Sequence, residues 1–399
     1  KYKEIVGPNL SMAFGMPAVD GYGGGVLPLA RYVALQRLFL PPDARAVDGR
    51  LRETLTTLPD GRWLSLFNVR YVITDKLHDA WVDGVFYDLQ FGARLAEGES
   101  AAVAHVPALE STALGLVSYL DGAAHLPHGT PVGVVEIDLG PLGQRTFQLR
   151  AGEHTAEGLY HAQVAHAQAQ VGGHFWIDQP QGNDYVTRLR WDAPAAPVAV
   201  RVRATLPAGE LIVRGASLID ERTTSFQALT LSDRGHFRQR YSGDVKIYQN
   251  LEVLPRAFFV GRALGAADDE AALAVMQQPT FDPAQVVVLS GGPSTGSRDG
   301  SAQVRVIAYA PERVVIDVTA EGPGYVVLTD AWYPGWEATV DGQAAAIWRA
   351  DLFFRAVALE AGRHQVIFAF RPFSLRLGAW ISLIGGLGLL AAAYVTLHR

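Results

Sequence analysis

The chain has 399 residues, a net charge of −6 and no cysteine; 49% of its residues are hydrophobic and 19% charged. That length exceeds one compact core and predicts roughly two to four domains, and the composition describes an ordered chain. Acidic balance without a clustered basic stretch speaks against nucleic acid, and the lack of cysteine excludes disulfides, thiolate metal sites and cysteine nucleophiles.

Residues 1–114 are expected to form a membrane-proximal α/β segment. The chain begins at Lys1 without a signal peptide. A large body that must cross a membrane needs an export signal or an earlier transmembrane helix, so we expect a C-terminal piece of a longer protein. Asp20-Gly21-Tyr22-Gly23-Gly24-Gly25 is acidic, aromatic and glycine-rich. Asp20 and Tyr22 are candidates to line a substrate channel, with Asp20 holding a sugar hydroxyl or a divalent ion; the plainer reading is a glycine turn. It is not a dinucleotide fingerprint, because no strand precedes it and the glycine spacing is wrong. Ala30–Phe39 carries apolar residues at helical spacing and stops at Pro41-Pro42, while Val69–Thr74 has the β-branched pattern of a strand.

Residues 115–240 are expected to be a β-sandwich that could serve as a carbohydrate-binding-like module. Val198, Val200 and Val202 alternate with Ala199, Arg201 and Arg203, the period of a strand with one wet face. His174-Phe175-Trp176 and Asp184-Tyr185 offer a carbohydrate groove, with Trp176 and Tyr185 as its binding residues, or else ordinary core aromatics. His161 and His166 share no face of a strand and align poorly on a helix, and no metal site is read there. No nucleophile elbow occurs.

Residues 241–300 read as a small α/β connector. Asp268 caps a helix with Asp269 and Glu270 in its first turn and Ala272, Val275 and Met276 on its apolar face; Val286–Leu289 is an apolar strand. Gly291–Ser297 then reads as a linker. Residues 301–372 are expected to be a second β-sandwich. Tyr333-Pro334-Gly335-Trp336 suits a type II turn and Asp341-Gly342 a two-residue hairpin. Trp332 and Trp336, beside Tyr333 and Trp348, are candidates for sugar stacking; at a sandwich corner the same residues pack the core or rest on lipid headgroups.

Leu377–Leu397 contains no charged side chain over about 21 residues, long enough at roughly 1.5 Å per residue to cross a bilayer core of about 30 Å. Trp380 and Tyr394 lie near its ends and Arg376 and Arg399 bracket it. A transmembrane helix over 373–397 follows, with Gly378, Ser382 and Gly386 spaced to admit a neighbouring helix. Too few flanking charges are present to set its orientation.

Several strings resemble one family. Leu66-Phe67-Asn68-Val69-Arg70-Tyr71-Val72-Ile73-Thr74, Asp20-Gly21-Tyr22 with Arg31-Tyr32, Tyr325 through Trp336, Val340-Asp341-Gly342, Arg349 through Arg355 and Leu359 through His364 up to Arg371-Pro372 are similar to elements of the YfhO-like bacterial membrane proteins. The resemblance covers residues 1–100 and 245–397, and the middle β region is unmatched. It implies a GT-C-type polytopic glycosyltransferase-like parent using polyprenyl-phosphate-linked sugars to decorate the cell envelope. The acidic residues of such chemistry belong to an early outer loop among many transmembrane helices, so no catalytic residue, cofactor or metal is assigned here.

The expected fold is mainly β: two jelly-roll or Ig-like sandwiches joined by small α/β segments, plus the C-terminal transmembrane helix. The expected function is that of the extracytoplasmic C-terminal region of a YfhO-like membrane glycosyltransferase, non-catalytic by itself. Its expected partners are the lipid bilayer, other transmembrane helices of the parent and a glycan or polyprenyl-linked sugar. The alternative is a membrane-anchored carbohydrate-binding or structural envelope protein.

Overall fold

The computed structural model describes residues 18–19, 29–40, 51, 55, 58–160, 163–175, 181–296 and 300–397. It is mainly β, with one long C-terminal helix, and divides into two compact units. One is built on Val69–Val253; the other comprises Leu254 onward with Leu66–Asn68 and the helix Ala30–Phe39.

In the first unit a six-stranded and a four-stranded sheet contribute to one hydrophobic core. The alternation read in the sequence decides which side chains enter it. Val200, Val202 and Ala204 of the strand Ala199–Ala204 are buried, whereas Arg201 and Arg203 face solvent. The central strand Ser111–Asp121 pairs with Glu210–Asp220 on one side and Gly182–Ala195 on the other. It is apolar on both faces for a physical reason. Leu114, Leu116 and Leu120 enter the main core, while Ala113 and Val117 meet Val82, Val85 and Tyr87 of the hairpin Asp79–Val82/Val85–Asp88. Gly115 makes room for that cover: a Cβ there would lie 2.2 Å from the Tyr87 hydroxyl. A three-stranded sheet of Tyr71–Thr74, Lys246–Asn250 and Phe237–Ser242 packs Phe91, Phe237 and Tyr248 together.

The second unit also has two sheets around one core, of six and five strands. Among the described residues its parallel pair, Arg262–Ala266 with Val286–Ser290, is joined by the helix Asp269–Met276. Asp268 caps that helix by accepting a hydrogen bond from Ala271 N at 2.8 Å. Leu273, rather than Val275, is the third fully buried residue of its inner face. Gly291–Gly296 is not a free linker. Thr295 exchanges backbone and hydroxyl bonds of 2.9 Å with Ala263, and the Ser294 hydroxyl accepts from Gly265 N at 2.8 Å, so the segment closes the open edge of Arg262–Ala266. Asp341 and Gly342, at φ 52° and 82°, form the expected hairpin between Trp336–Val340 and Gln343–Ala345. The last strand, Gly362–Phe370, leads into the helix Phe373–Leu397, which buries none of its side chains.

Leu114 is fully buried at the middle of the first unit's core. Leu114→Ala should destabilise that unit by about 2–5 kcal/mol, read as a lowered unfolding midpoint in urea; an unchanged midpoint would contradict the core described here.

Candidate functional site

The second unit brings together strings that are far apart in the chain. Asp330 lies at the end of the strand Gly324–Leu328, and its carboxylate takes three partners. Arg256 Nε donates at 2.9 Å and the Tyr309 hydroxyl at 3.1 Å to Oδ1, while Arg355 Nη2 donates at 2.9 Å to Oδ2. Arg355 is 1% exposed, and its guanidinium carbon sits 3.7 Å over the Trp336 ring. Trp336 in turn packs on Phe370 with ring centroids 5.3 Å apart. Burial lowers the Arg355 pKa to about 10, against the pull of Asp330, and burial raises the Tyr309 phenol above its ordinary value. One carboxylate therefore serves two guanidiniums, and the Trp336 π face supplies part of the compensation for Arg355.

Trp332 forms the outer part of this corner. Arg31 and Arg349 lie over its ring at 5.3 and 5.4 Å, and both pair with Asp269, at 2.8 and 3.1 Å. Arg37 binds Glu270 with both terminal nitrogens, at 2.5 and 2.7 Å. The acidic first turn of the helix Asp269–Met276 thus holds the helix Ala30–Phe39 in place. Phe67 stacks edge-on between Phe39 and Phe354, at 5.0 and 5.1 Å. Asn68, at φ 57°, donates its side-chain amide to Leu254 O at 2.5 Å.

Beneath Trp332 lies a tight turn. Asp351 and Leu352 both have left-handed backbones, at φ 46° and 69°. Asp351 exchanges two bonds of 2.8 Å with Val288, its N donating to Val288 O and its Oδ1 accepting from Val288 N. The turn carries Phe353 O to Trp332 N at 2.6 Å. Asp351 is fully buried, and its Oδ2 has no hydrogen-bond partner among the described residues. Burial raises its carboxyl to about 7, opposed by the Val288 N–H.

Among the residues singled out from sequence, Trp332 and Trp336 share this corner, both half-buried. Tyr185 lies in the first unit at 1% exposure and donates its hydroxyl to Glu157 O at 2.9 Å. Asp184 beside it is also buried, its carboxyl raised by burial against the pull of Arg214 at 3.8 Å. Asp20, Tyr22 and Trp176 lie outside the described residues. Asp330, Arg349, Asp351 and Arg355 stood inside the quoted strings, but only the aromatics were picked out. Another charged cluster left no sequence signal. Lys246, fully buried, donates to Asp79 and, at 2.9 Å, to Asp88, whose other oxygen accepts from Tyr248 at 2.5 Å. Burial, reinforced by Asp88, pushes the Tyr248 phenol far above its usual range.

Residues 298–382 match the family described as bacterial membrane protein YfhO. That stretch of the chain is similar to the YfhO family. That segment includes Asp330, Trp332, Trp336, Asp351, Arg355 and the start of the terminal helix. The helix itself, 25 residues, is long and apolar enough to cross a membrane. No curated protein matches the chain. Two solved structures of the arabinofuranosyltransferase AftD from Mycobacteria, one of them a point mutant, are 12% and 13% identical over 84% and 90% of this chain, each with a TM-score of 0.17. The chain spans 26% of the length of each.

Two variants probe the corner. In Trp336→Ala the Arg355 guanidinium loses its π face, and stability should fall by about 3 kcal/mol; a normal melting temperature with lost glycan binding would instead make Trp336 a ligand contact. For Asp351 the folded carboxyl, at about 7, holds a proton that the unfolded one releases near 3.8. Stability should therefore decline between those pH values, by at most roughly 4 kcal/mol, and level off above. Asp351→Asn should abolish that decline in denaturation curves taken across the window; an unchanged slope would show that Asp351 does not titrate there.

Proposed function

We propose that this chain is the extracytoplasmic C-terminal region of a YfhO-like membrane glycosyltransferase, handling acceptor or lipid-linked donor without performing the chemistry. The observation that carries the reading is the convergence of Arg31-Tyr32, Leu66-Phe67-Asn68, Asp330–Trp336 and Arg349–Arg355 on one aromatic, cationic corner of the unit that ends in the membrane helix. Half-buried indole rings and guanidiniums suit the apolar faces of sugars and the phosphates of polyprenyl-linked sugars. Oxygen-rich substrate would stack on Trp332 while Arg31 and Arg349, two cations sharing the single Asp269, offer donors to an anion.

The experiment is sugar transfer from a polyprenyl-phosphate-linked donor to an envelope glycan, assayed on the full gene product in membranes. Trp332→Ala should raise KM for acceptor or donor roughly tenfold while sparing kcat, as loss of uniform binding does. Full transfer with unaltered KM would remove Trp332 from substrate handling. Glycan binding without any transferase activity would favour the alternative, a membrane-anchored carbohydrate-binding protein.

A further inference from the structure

We infer that the turn Tyr333–Trp336 and the start of the terminal helix form a docking surface for anionic phospholipid headgroups, an inference that rests on the membrane reading of that helix. Three observations converge on it.

The first is length. At roughly 1.5 Å per residue the helix Phe373–Leu397 extends about 37 Å, more than a hydrocarbon core of about 30 Å, so an end turn lies at headgroup level. Phe373 and Leu375, 75% and 70% exposed, suit the hydrocarbon edge, and Arg376 between them and the span can snorkel to phosphate.

The second is attachment. Arg371 N donates to Gly335 O at 2.7 Å, and a Cβ on Gly335, at φ 105°, would come within 2.9 Å of Pro372. The turn is therefore fastened against the residues just before the helix. Tyr333 at its tip is 49% exposed, an aromatic with a polar end of the kind enriched at bilayer interfaces.

The third is charge. Phe370 N donates to Glu312 O at 2.8 Å and Arg313 pairs with Ala369, which brings the tip of the hairpin Ala302–Ala310/Arg313–Ala320 to the same end of the sheet. Arg371 pairs with Glu337 at 3.6 Å, and Arg313 and Arg376 stand beside Glu312, which leaves an excess of one cation there. Although the chain as a whole is acidic at −6, the end facing the bilayer is cationic. A surface of this sign is drawn to anionic lipid and indifferent to neutral lipid.

The chain has no cysteine, so single-cysteine nitroxide labels are unambiguous. Tyr333→Cys, Gln343→Cys and Gly386→Cys variants of the whole chain would be reconstituted in vesicles of phosphatidylcholine alone and of phosphatidylcholine with phosphatidylglycerol. Relaxation by oxygen against a water-soluble nickel chelate then reports depth. The label at position 333 should be shielded from nickel in mixed vesicles and less so in neutral ones, while that at 343, on the far side of the Asp341-Gly342 turn, stays aqueous. Arg371→Gln should lower the immersed fraction at position 333 roughly fivefold, the weight of about one cation at an anionic surface. If position 333 is as aqueous as 343 in both vesicles while 386 is immersed, the docking surface is overturned and the span stands. Equal immersion of 333 in both lipids overturns the preference for anionic headgroups. An aqueous label at 386 overturns the membrane reading itself.

Discussion

An apolar helix that buries none of its side chains against protein has to find its apolar surroundings elsewhere, and Phe373–Leu397 imposes that requirement on everything before it. The last strand must deliver the chain to the helix at one end of its sheet. The bond from Arg371 N to Gly335 O and the close approach of Gly335 to Pro372 bind the Tyr333–Trp336 turn to that point. Glycine is required at 335 because both its positive φ and the nearby proline exclude a side chain.

The corner above that turn is organised by charge more than by apolar packing. Removing Arg355 from water is costly, and its bonds to the Asp330 carboxylate and carbonyl would not offset the cost alone. The Trp336 ring at 3.7 Å and Phe368 at 5.3 Å add attraction that needs no carboxylate. Such an arrangement tolerates few alternatives, since each partner fixes the next: Arg355 orients Asp330, Asp330 orients Arg256, and the Asp351 turn presents Phe353 O to Trp332. We regard specificity of geometry, rather than net stabilisation, as the consequence of these buried charges.

The first unit meets a similar problem differently. Its central strand is apolar on both faces, so the hairpin Asp79–Val82/Val85–Asp88 has to cover the second one. Lys246 ties that hairpin to the strand Lys246–Asn250 through Asp79 and Asp88, with the Phe86 ring 5.1 Å away. Two carboxylates around one ammonium, with Tyr248 and Gln239 donating to Asp88, give this buried charge cluster a connected set of hydrogen bonds.

Local patterns were legible wherever neighbours in sequence are also neighbours in space. Ala30–Phe39 became a helix, Asp268 the cap of Asp269–Met276, Asp341-Gly342 a hairpin, Ala199–Ala204 an alternating strand and Phe373–Leu397 an unburied apolar helix, because period, capping and turn chemistry act over a few residues. The quoted strings marked the corner without revealing its working parts: aromatics drew notice, while Asp330 and Arg355 lay in the same strings without a role. Gly291–Gly296 looked like a linker because nothing local announces the strand edge that Ser294 and Thr295 complete. Lys246 gave no local signal because its acceptors stand 158 and 167 positions away. Sequence by itself determined the elements, the mainly β class and the membrane-compatible helix. Only the tertiary structure decided which charges are buried and whom they meet, since ion pairing and desolvation depend on distance in space and not along the chain.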